Sequence, residues 1–238
     1  VDSLIRIGIT GTGNFIARGD ALVDAGTIRV GESNNDNTLQ ISGNAIVNTG
    51  HLDVAFNGAN DRGTVTQTGG TLNVTALSTY EVGAGGTGTV LHSGGTANVI
   101  GDMNVGTDGT AGDSYTLDGT ATLNFADTAL DTQYAAGLDQ STLTVGSNGT
   151  FNFDGGTLMN VRGIVANNTM ANSGDRDSTF VQDGGRFVIG QDGVDIGMDP
   201  DRAYTTITGD YIQNDGTLVV DIFGPGSHGG SGEDGGVL

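Results

Sequence analysis

The chain has 238 residues with 28 acidic and 8 basic side chains, a formal charge of -20, and its basic residues are all arginine. That charge repels phosphate backbones and anionic lipid surfaces, and it excludes nucleic acid as a favourable partner. With 35% apolar residues, 5% aromatic residues, no cysteine and no apolar run near the ~18 residues of a membrane span, the composition excludes a Leu-rich helical domain, membrane insertion, disulfides and thiolate chemistry.

In chain order, Leu4 to Ile9 (LIRIGI) reads as a β-strand from the start. No charged, apolar, small-residue leader precedes it, which reads as a mature chain, a processed product or a fragment. From there a phrase recurs: Thr-apolar-Thr-polar, a glycine step, then Thr-Leu-Asn-Val. Weaker copies are ALVDAGTIRV (Ala21 to Val30) and AIVNTGHLDV (Ala45 to Val54). Clear copies are TVTQTGGTLNV (Thr64 to Val74), TVLHSGGTANV (Thr89 to Val99), SYTLDGTATLNF (Ser114 to Phe125), TFNFDGGTLMNV (Thr150 to Val161), STFVQDGGRFVI (Ser178 to Ile189) and IQNDGTLVV (Ile212 to Val220). The residue after the glycine step marks each copy: Thr27, His51, Thr71, Thr96, Thr120, Thr157, Arg186 and Thr217. These markers are unevenly spaced, shortest from His51 to Thr71 and longest from Thr120 to Thr157, yet every step lies in the range of solenoid repeats.

A second phrase sits between the copies, an apolar residue followed by glycine: Val30-Gly31, Val82-Gly83, Val105-Gly106, Val145-Gly146 and Ile189-Gly190. Each repeat therefore holds about three short strands. Leu72 and Val74 share one face while Thr71 and Asn73 share the other, the two-residue period of a half-buried strand. Glycine, asparagine and aspartate between the strands supply turns that accept positive φ. Ala126 to Leu138 has helical tendency, coincides with the longest step and reads as an insertion loop.

Three strands in about 25 residues cannot bury their apolar face alone, and they gain a core only by stacking on copies of themselves. The expected fold is all-β, a right-handed parallel β-helix (β-solenoid) of about eight irregular coils over residues 1–223. Residues 224–238 form a Gly-rich acidic tail or linker. A sandwich or barrel also uses short strands, but it does not require the same glycine-threonine phrase in every repeat. Coils stack about 4.8 Å apart, so Thr and Asn can form hydrogen-bonded ladders whereas stacked lysines would repel.

The phrases TVTQTGGTLNV, EVGAGGTGTVLHSGGTANV, LTVGSNGTFNFDGGTL and ITGDYIQNDGTLVVDI resemble the passenger-repeat regions of bacterial autotransporters and related giant surface proteins, over residues 20 to 222. The resemblance implies a β-helix displayed outside the cell, with a structural or adhesive role on a bacterial surface or in a matrix. It supplies no catalytic residue, and the chain shows no translocating membrane barrel.

Parallel β-helices also host polysaccharide lyases and hydrolases. Lyase chemistry uses a strong base, often lysine or arginine beside calcium; lysine is absent and the arginines form no cluster in sequence. Hydrolysis needs two carboxylates at a fixed separation. The richest acidic stretch, Asp192, Asp195, Asp199 and Asp201, reads first as a solvated turn bent by Pro200. The same four residues are the candidate calcium ligands, with ESNNDN (Glu32 to Asn37) and Asp175 to Asp177 as further oxygen-rich turns. GGSGEDGG at Gly229 to Gly236 matches a calcium-binding nonapeptide only as far as Asp234, and it reads as linker. GPGSHG at Gly224 to Gly229 satisfies Gly-x-Gly-x-x-Gly without a following helix, so it is set aside.

His51, His92 and His228 lie too far apart in sequence to make a metal trio. His92 stands where neighbouring copies carry Gln67 and Gln182 and reads as a polar rung. Asn73, Asn98 and Asn124 read as ladder residues first and glycan ligands second. A groove lined by Tyr80, Tyr115, Tyr134 or Tyr204 would favour a glycan-binding module. Neither terminal strand carries a capping pattern, which leads to an expectation of self-association through the end coils. The expected role is a non-enzymatic, extracellular structural or adhesive solenoid; a carbohydrate-active enzyme or glycan-binding module is the alternative.

Overall fold

A computed structural model describes residues 3–33, 35–75, 80–107, 112–125, 141–166, 179–189, 205–208 and 210–220. Its strands form a parallel β-solenoid with three ladders. The first ladder stacks Leu4–Ile7, 27–30, 51–54, Tyr80–Val82, Met103–Val105, Thr142–Val145, Gly163–Ala166 and Thr206–Thr208. The second stacks Asn14–Ala17, Asp36–Ile41, 62–67, 87–92, Asp113–Leu117, Gly149–Phe153, Thr179–Gln182 and Asp210–Gln213. The third stacks 22–25, 46–49, 71–74, 96–99, Thr122–Phe125, Thr157–Met159, Arg186–Ile189 and Thr217–Val220. The segments 126–138 and 224–238, read above as insertion loop and tail, lie outside the described residues.

Alternation along each strand sends one set of side chains into the coil interior. In the second ladder this set begins with Phe15 and Ala17, passes through Leu39, Ile41, Val65 and Val90, and is aromatic again at Tyr115, Phe151, Phe153 and Phe180. Each fully buried side chain of this size contributes roughly 1.5–3 kcal/mol. The aromatic half forms a continuous run of ring contacts. Tyr80 meets Tyr115 edge to face at 6.3 Å, Tyr115 stacks on Phe151 at 5.3 Å, and Phe151 stacks on Phe180 at 6.0 Å, which stacks on Tyr211 at 5.9 Å. One inward position thus changes from Val at Val65 and Val90 to Tyr and Phe from Tyr115 to Tyr211.

The register corrects the phase of the repeat. Thr27 and His51 follow glycines at the corner between the third and first ladders, inside the continuous strands Leu22–Val30 and Ile46–Val54. Thr71 and Thr96 follow glycines at the other corner, between the second and third ladders. The spatial partner of Thr71 is Ile46, so the third ladder steps through Leu22, Ile46, Thr71, Thr96 and Thr122 at nearly even intervals. The short step from His51 to Thr71 joined two different corners, and Thr122, not Thr120, pairs with Thr96. Gly-Thr is a chemical solution to any sharp corner between strands, so it marks corners without saying which one. For the same reason Ile189 belongs to the third ladder, while Val30, Val82, Val105 and Val145 share the first.

After that valine the backbone turns left-handed. Gly31, Gly83 and Gly106 have φ of 83°, 82° and 66°, and Ala55 occupies the equivalent place at φ 61° despite its methyl group. This is the conformation glycine adopts without steric cost.

Candidate functional site

Three polar systems are built on this frame. The first runs along the outside of the third ladder. Side-chain amides are bonded in series: Asn48 donates to Asp24 at 2.6 Å, Asn73 to Asn48 at 2.7 Å, Asn98 to Asn73 at 2.8 Å, Asn124 to Asn98 at 2.9 Å and Asn160 to Asn124 at 2.7 Å. The ladder expected at Asn73, Asn98 and Asn124 is present, and the structure extends it to Asp24, Asn48 and Asn160. Each bond is worth about 1 kcal/mol net, and their shared direction lets them polarise one another. Amide groups engaged in this way hold the coils in register.

The second system is internal, at the corner between the second and third ladders. Gln67, His92 and Gln182 are buried there. Gln67 donates to the carbonyl of Thr96 in the next coil at 3.0 Å, and Gln182 to the corner carbonyl of Gly184 at 3.0 Å. His92 does the same work through Nε2, 3.3 Å from the Gly95 carbonyl. Its Nδ1, 2.8 Å from the Tyr115 hydroxyl, is then the acceptor. Tyr211 donates to Gln182 Oε1 three coils further on, so the pair Tyr115–His92 repeats the pair Tyr211–Gln182. His92 occupies the polar-rung position read from the sequence.

Burial pushes the His92 imidazolium down to about 4, against the raising effect of its bond to Gly95. Its folded-state value lies below the unfolded value, so its contribution is fully present above pH 6.5 and is lost as pH falls toward 4. The span corresponds to about 3 kcal/mol. His92→Gln, which installs the residue used at Gln67 and Gln182, is expected to remove this loss. Urea unfolding at pH 7.5 and pH 4 should show a smaller difference between the two pH values in the variant than in the parent. An equal difference in both would show that His92 is protonated without cost.

The third system is a charged cavity of about 400 Å³ on the outer face of the first ladder, lined by Thr27, Arg29, His51, Asp53, Phe56, Glu81 and Ala84. Its side chains come from successive rungs: Arg6, Arg29, Asp53, Glu81 and Asn104 are in register. Glu32, buried, is ion-paired with Arg6 and lies 3.6 Å from Arg29, whose Nε is 3.2 Å from Asp53. The Arg29 guanidinium sits 3.6 Å above the Phe56 ring. Glu81 accepts a 3.0 Å bond from Asn104, and His51 Nδ1 lies 3.9 Å from Asp53. Burial raises the Asp53 carboxyl above the usual carboxylate value, and Glu81 adds to this, while Arg29 and His51 oppose it. Asp53 and Glu81 are therefore two carboxylates from adjacent coils facing one cavity, which is the minimal arrangement for carboxylate chemistry on a sugar. Two features oppose that use. Asp53 is committed to Arg29, and Arg29 covers the one aromatic face of the cavity on which a sugar ring would stack.

The structure separates the other candidates read from the sequence. Asp192, Asp195, Asp199 and Asp201 lie outside the described residues, as do Asp175 to Asp177, Tyr134, Tyr204 and His228. In the Glu32 to Asn37 turn, Glu32 is taken by the arginines. Asn37 is buried and accepts from the Gly13 amide at 2.7 Å. Among the described residues no three His, Asp or Glu side chains come together as a metal cage. Tyr80 and Tyr115 are core residues and line no glycan groove, because their inward positions make them part of the aromatic run. Burial raises the hydroxyl pKa of both. The cavity was not legible in sequence, since its residues are brought together by stacking across whole coils; the nearest signal was the repeated alternation of charged residues after each corner. Comparison of the chain with protein-family models, with curated proteins and with solved structures found no match in any of the three.

Proposed function

We propose that this chain is a non-enzymatic structural or adhesive element of a bacterial outer surface or matrix, and that its work is to present a stiff, periodic β-solenoid. The observation that carries this reading is the commitment of polar side chains to the scaffold itself: the asparagine series, the corner glutamines and His92, and the Arg6–Glu32–Arg29–Asp53 network all bond coil to coil. The likeness of its phrases to passenger repeats supports an extracellular setting, and an acidic surface without lysine suits a salty exterior where screening limits self-repulsion. Calcium held by the acidic turns is a further element of the proposal.

A second reading, a glycan-binding or glycan-cleaving solenoid, is supported by the Asp53–Glu81 cavity. One experiment separates the two. Antibody raised against the chain is applied to intact cells that produce it, and the purified chain is incubated with acidic and neutral polysaccharides, with calcium and with chelator. Surface labelling with no release of reducing ends is the expected result. Sugar release abolished by Asp53→Asn or Glu81→Gln would replace the structural reading with the enzymatic one, and labelling confined to permeabilised cells would overturn the extracellular setting.

A further inference from the structure

The outer face of the first ladder stacks its charges in an order that leaves one pair unrelieved. Along one column the side chains run Arg6, Arg29, Asp53, Glu81 and Asn104, each in register with the one before. Two arginines and then two carboxylates are thus neighbours at the coil spacing of about 4.8 Å, and like charges placed opposite one another on a sheet repel. The arginine pair is relieved by a buried carboxylate, since Glu32 is ion-paired with Arg6 and lies 3.6 Å from Arg29. No arginine stands in the same relation to the carboxylate pair. Arg29 reaches Asp53 at 3.2 Å from the preceding rung. Among the described residues Glu81 forms no ion pair, and it accepts a 3.0 Å bond from the Asn104 amide on the following rung.

We infer that the cavity of about 400 Å³ at Asp53 and Glu81 is a binding site for an amino sugar, whose ammonium group does for the two carboxylates what Glu32 does for the two arginines. This inference rests on the glycan-binding reading of the cavity and names its ligand. Three acceptors line the space, and an ammonium group has three N–H donors to offer them. Two are the carboxylates. The third is His51 Nδ1, which is buried and has no hydrogen-bond partner within the chain. It lies 3.9 Å from Asp53 Oδ1, too far for a direct bond and well placed for one donor group bonded to both. With its proton on Nε2, the neutral imidazole accepts at Nδ1.

The same walls disfavour other ligands. A metal ion needs bonds of about 2.0–2.6 Å, and the described His, Asp and Glu side chains nowhere converge in threes to that degree. N–H···O bonds of about 2.9 Å span a wider space. An acidic sugar would meet two carboxylates on a chain of charge -20, and the arginine beside them is already bound to Asp53. A neutral sugar gains most by stacking on a ring, and Arg29 covers Phe56. The volume lies at the lower end of the range for small-molecule sites, which suits a single sugar unit between walls that include Thr27 and Ala84.

The test titrates the whole chain with methyl glucosaminide, with its N-acetyl form and with N-α-acetyl-lysine amide, followed by calorimetry and by the ring signals of His51 in NMR spectra. Methyl glucosaminide is expected to bind and to shift the His51 signals, less strongly at high salt. Acetylation removes the charge and should weaken binding about ten-fold or more. Glu81→Gln keeps an oxygen for the Asn104 bond and should weaken binding to a similar degree, about ten-fold, with the circular dichroism of the parent. Asp36→Asn removes one charge from an exposed side chain outside the cavity and should leave binding unchanged. Binding indifferent to Glu81→Gln would overturn the site, and tighter binding of the lysine derivative would replace the sugar by a lysine-bearing protein. Equal binding of the acetylated sugar would overturn the ammonium contact and leave the glycan-binding reading standing. Binding of neither sugar would remove both, so the two failures are told apart.

Discussion

Gly95→Ala is expected to destabilise the solenoid by about 3 kcal/mol, although it adds a single methyl group. Two costs combine. Gly95 has φ +79°, which is unfavourable for any residue with a Cβ, and the added methyl would press on the Gly70 carbonyl oxygen and lie 2.5 Å from the Gly69 carbonyl carbon. Both are backbone atoms of the coil beneath, so relief requires the two coils to separate at this corner. Separation would lengthen the bonds that hold the third ladder and would disturb the Gly95 carbonyl that His92 uses. Gly19→Ala is the control: φ is +65° there, but nothing lies within 4 Å of the added methyl. It should cost only about 1–2 kcal/mol, the conformational part alone. Denaturant unfolding of the two variants measures both numbers, and equal losses would show that coil-to-coil contact at Gly95 is not what forbids a side chain.

Phe153→Ala should cost about 3–5 kcal/mol, the range for removing a fully buried ring. Phe153 is almost fully covered and touches Phe151 at 6.4 Å and Phe180 at 6.3 Å, centroid to centroid. Its neighbours cannot collapse into the space because their backbones are fixed by ladder bonds on both sides, so the cavity persists and the cost stays near the upper end. Leu91→Ala, two rungs away on the outward face and 45% exposed, should change stability by less than about 0.5 kcal/mol. A small loss at Phe153 would mean that the aromatic run is loosely packed. Since coils contact only their neighbours, a large loss should appear first as melting of the C-terminal half, seen as reduced protection from hydrogen exchange there.

Much of the fold is legible in particular residues. Leu72 and Val74 against Thr71 and Asn73 give the two-residue period and the inward face, and the return of that pattern in copy after copy leaves stacking as the way to bury it. Asn73, Asn98 and Asn124 announce a ladder because identical amides at equivalent positions must lie one coil apart. His92 in the place of Gln67 and Gln182 announces a shared polar duty. The phase of the first two copies was not legible, because Gly26-Thr27 and Gly50-His51 look like Gly70-Thr71 and turn a different corner. Tyrosine was ambiguous for a similar reason: Tyr80 and Tyr115 carry a polar tip that can sit in a groove or reach a buried acceptor, and only the position of the neighbouring coil decides between them.

By itself, then, the sequence determined the class of architecture, the three strands per coil, the acidic surface and the amide ladder, all of which follow from local periodicity and from stacking like on like. The tertiary structure alone decided which corner each glycine turns, that the aromatic residues form one internal run, and that Arg6, Glu32, Arg29 and Asp53 meet beside Glu81 around a cavity. Those outcomes depend on coil lengths, which vary along the chain. A residue's partner lies a whole coil away, and a small change in the length of the intervening corner brings a different side chain opposite it.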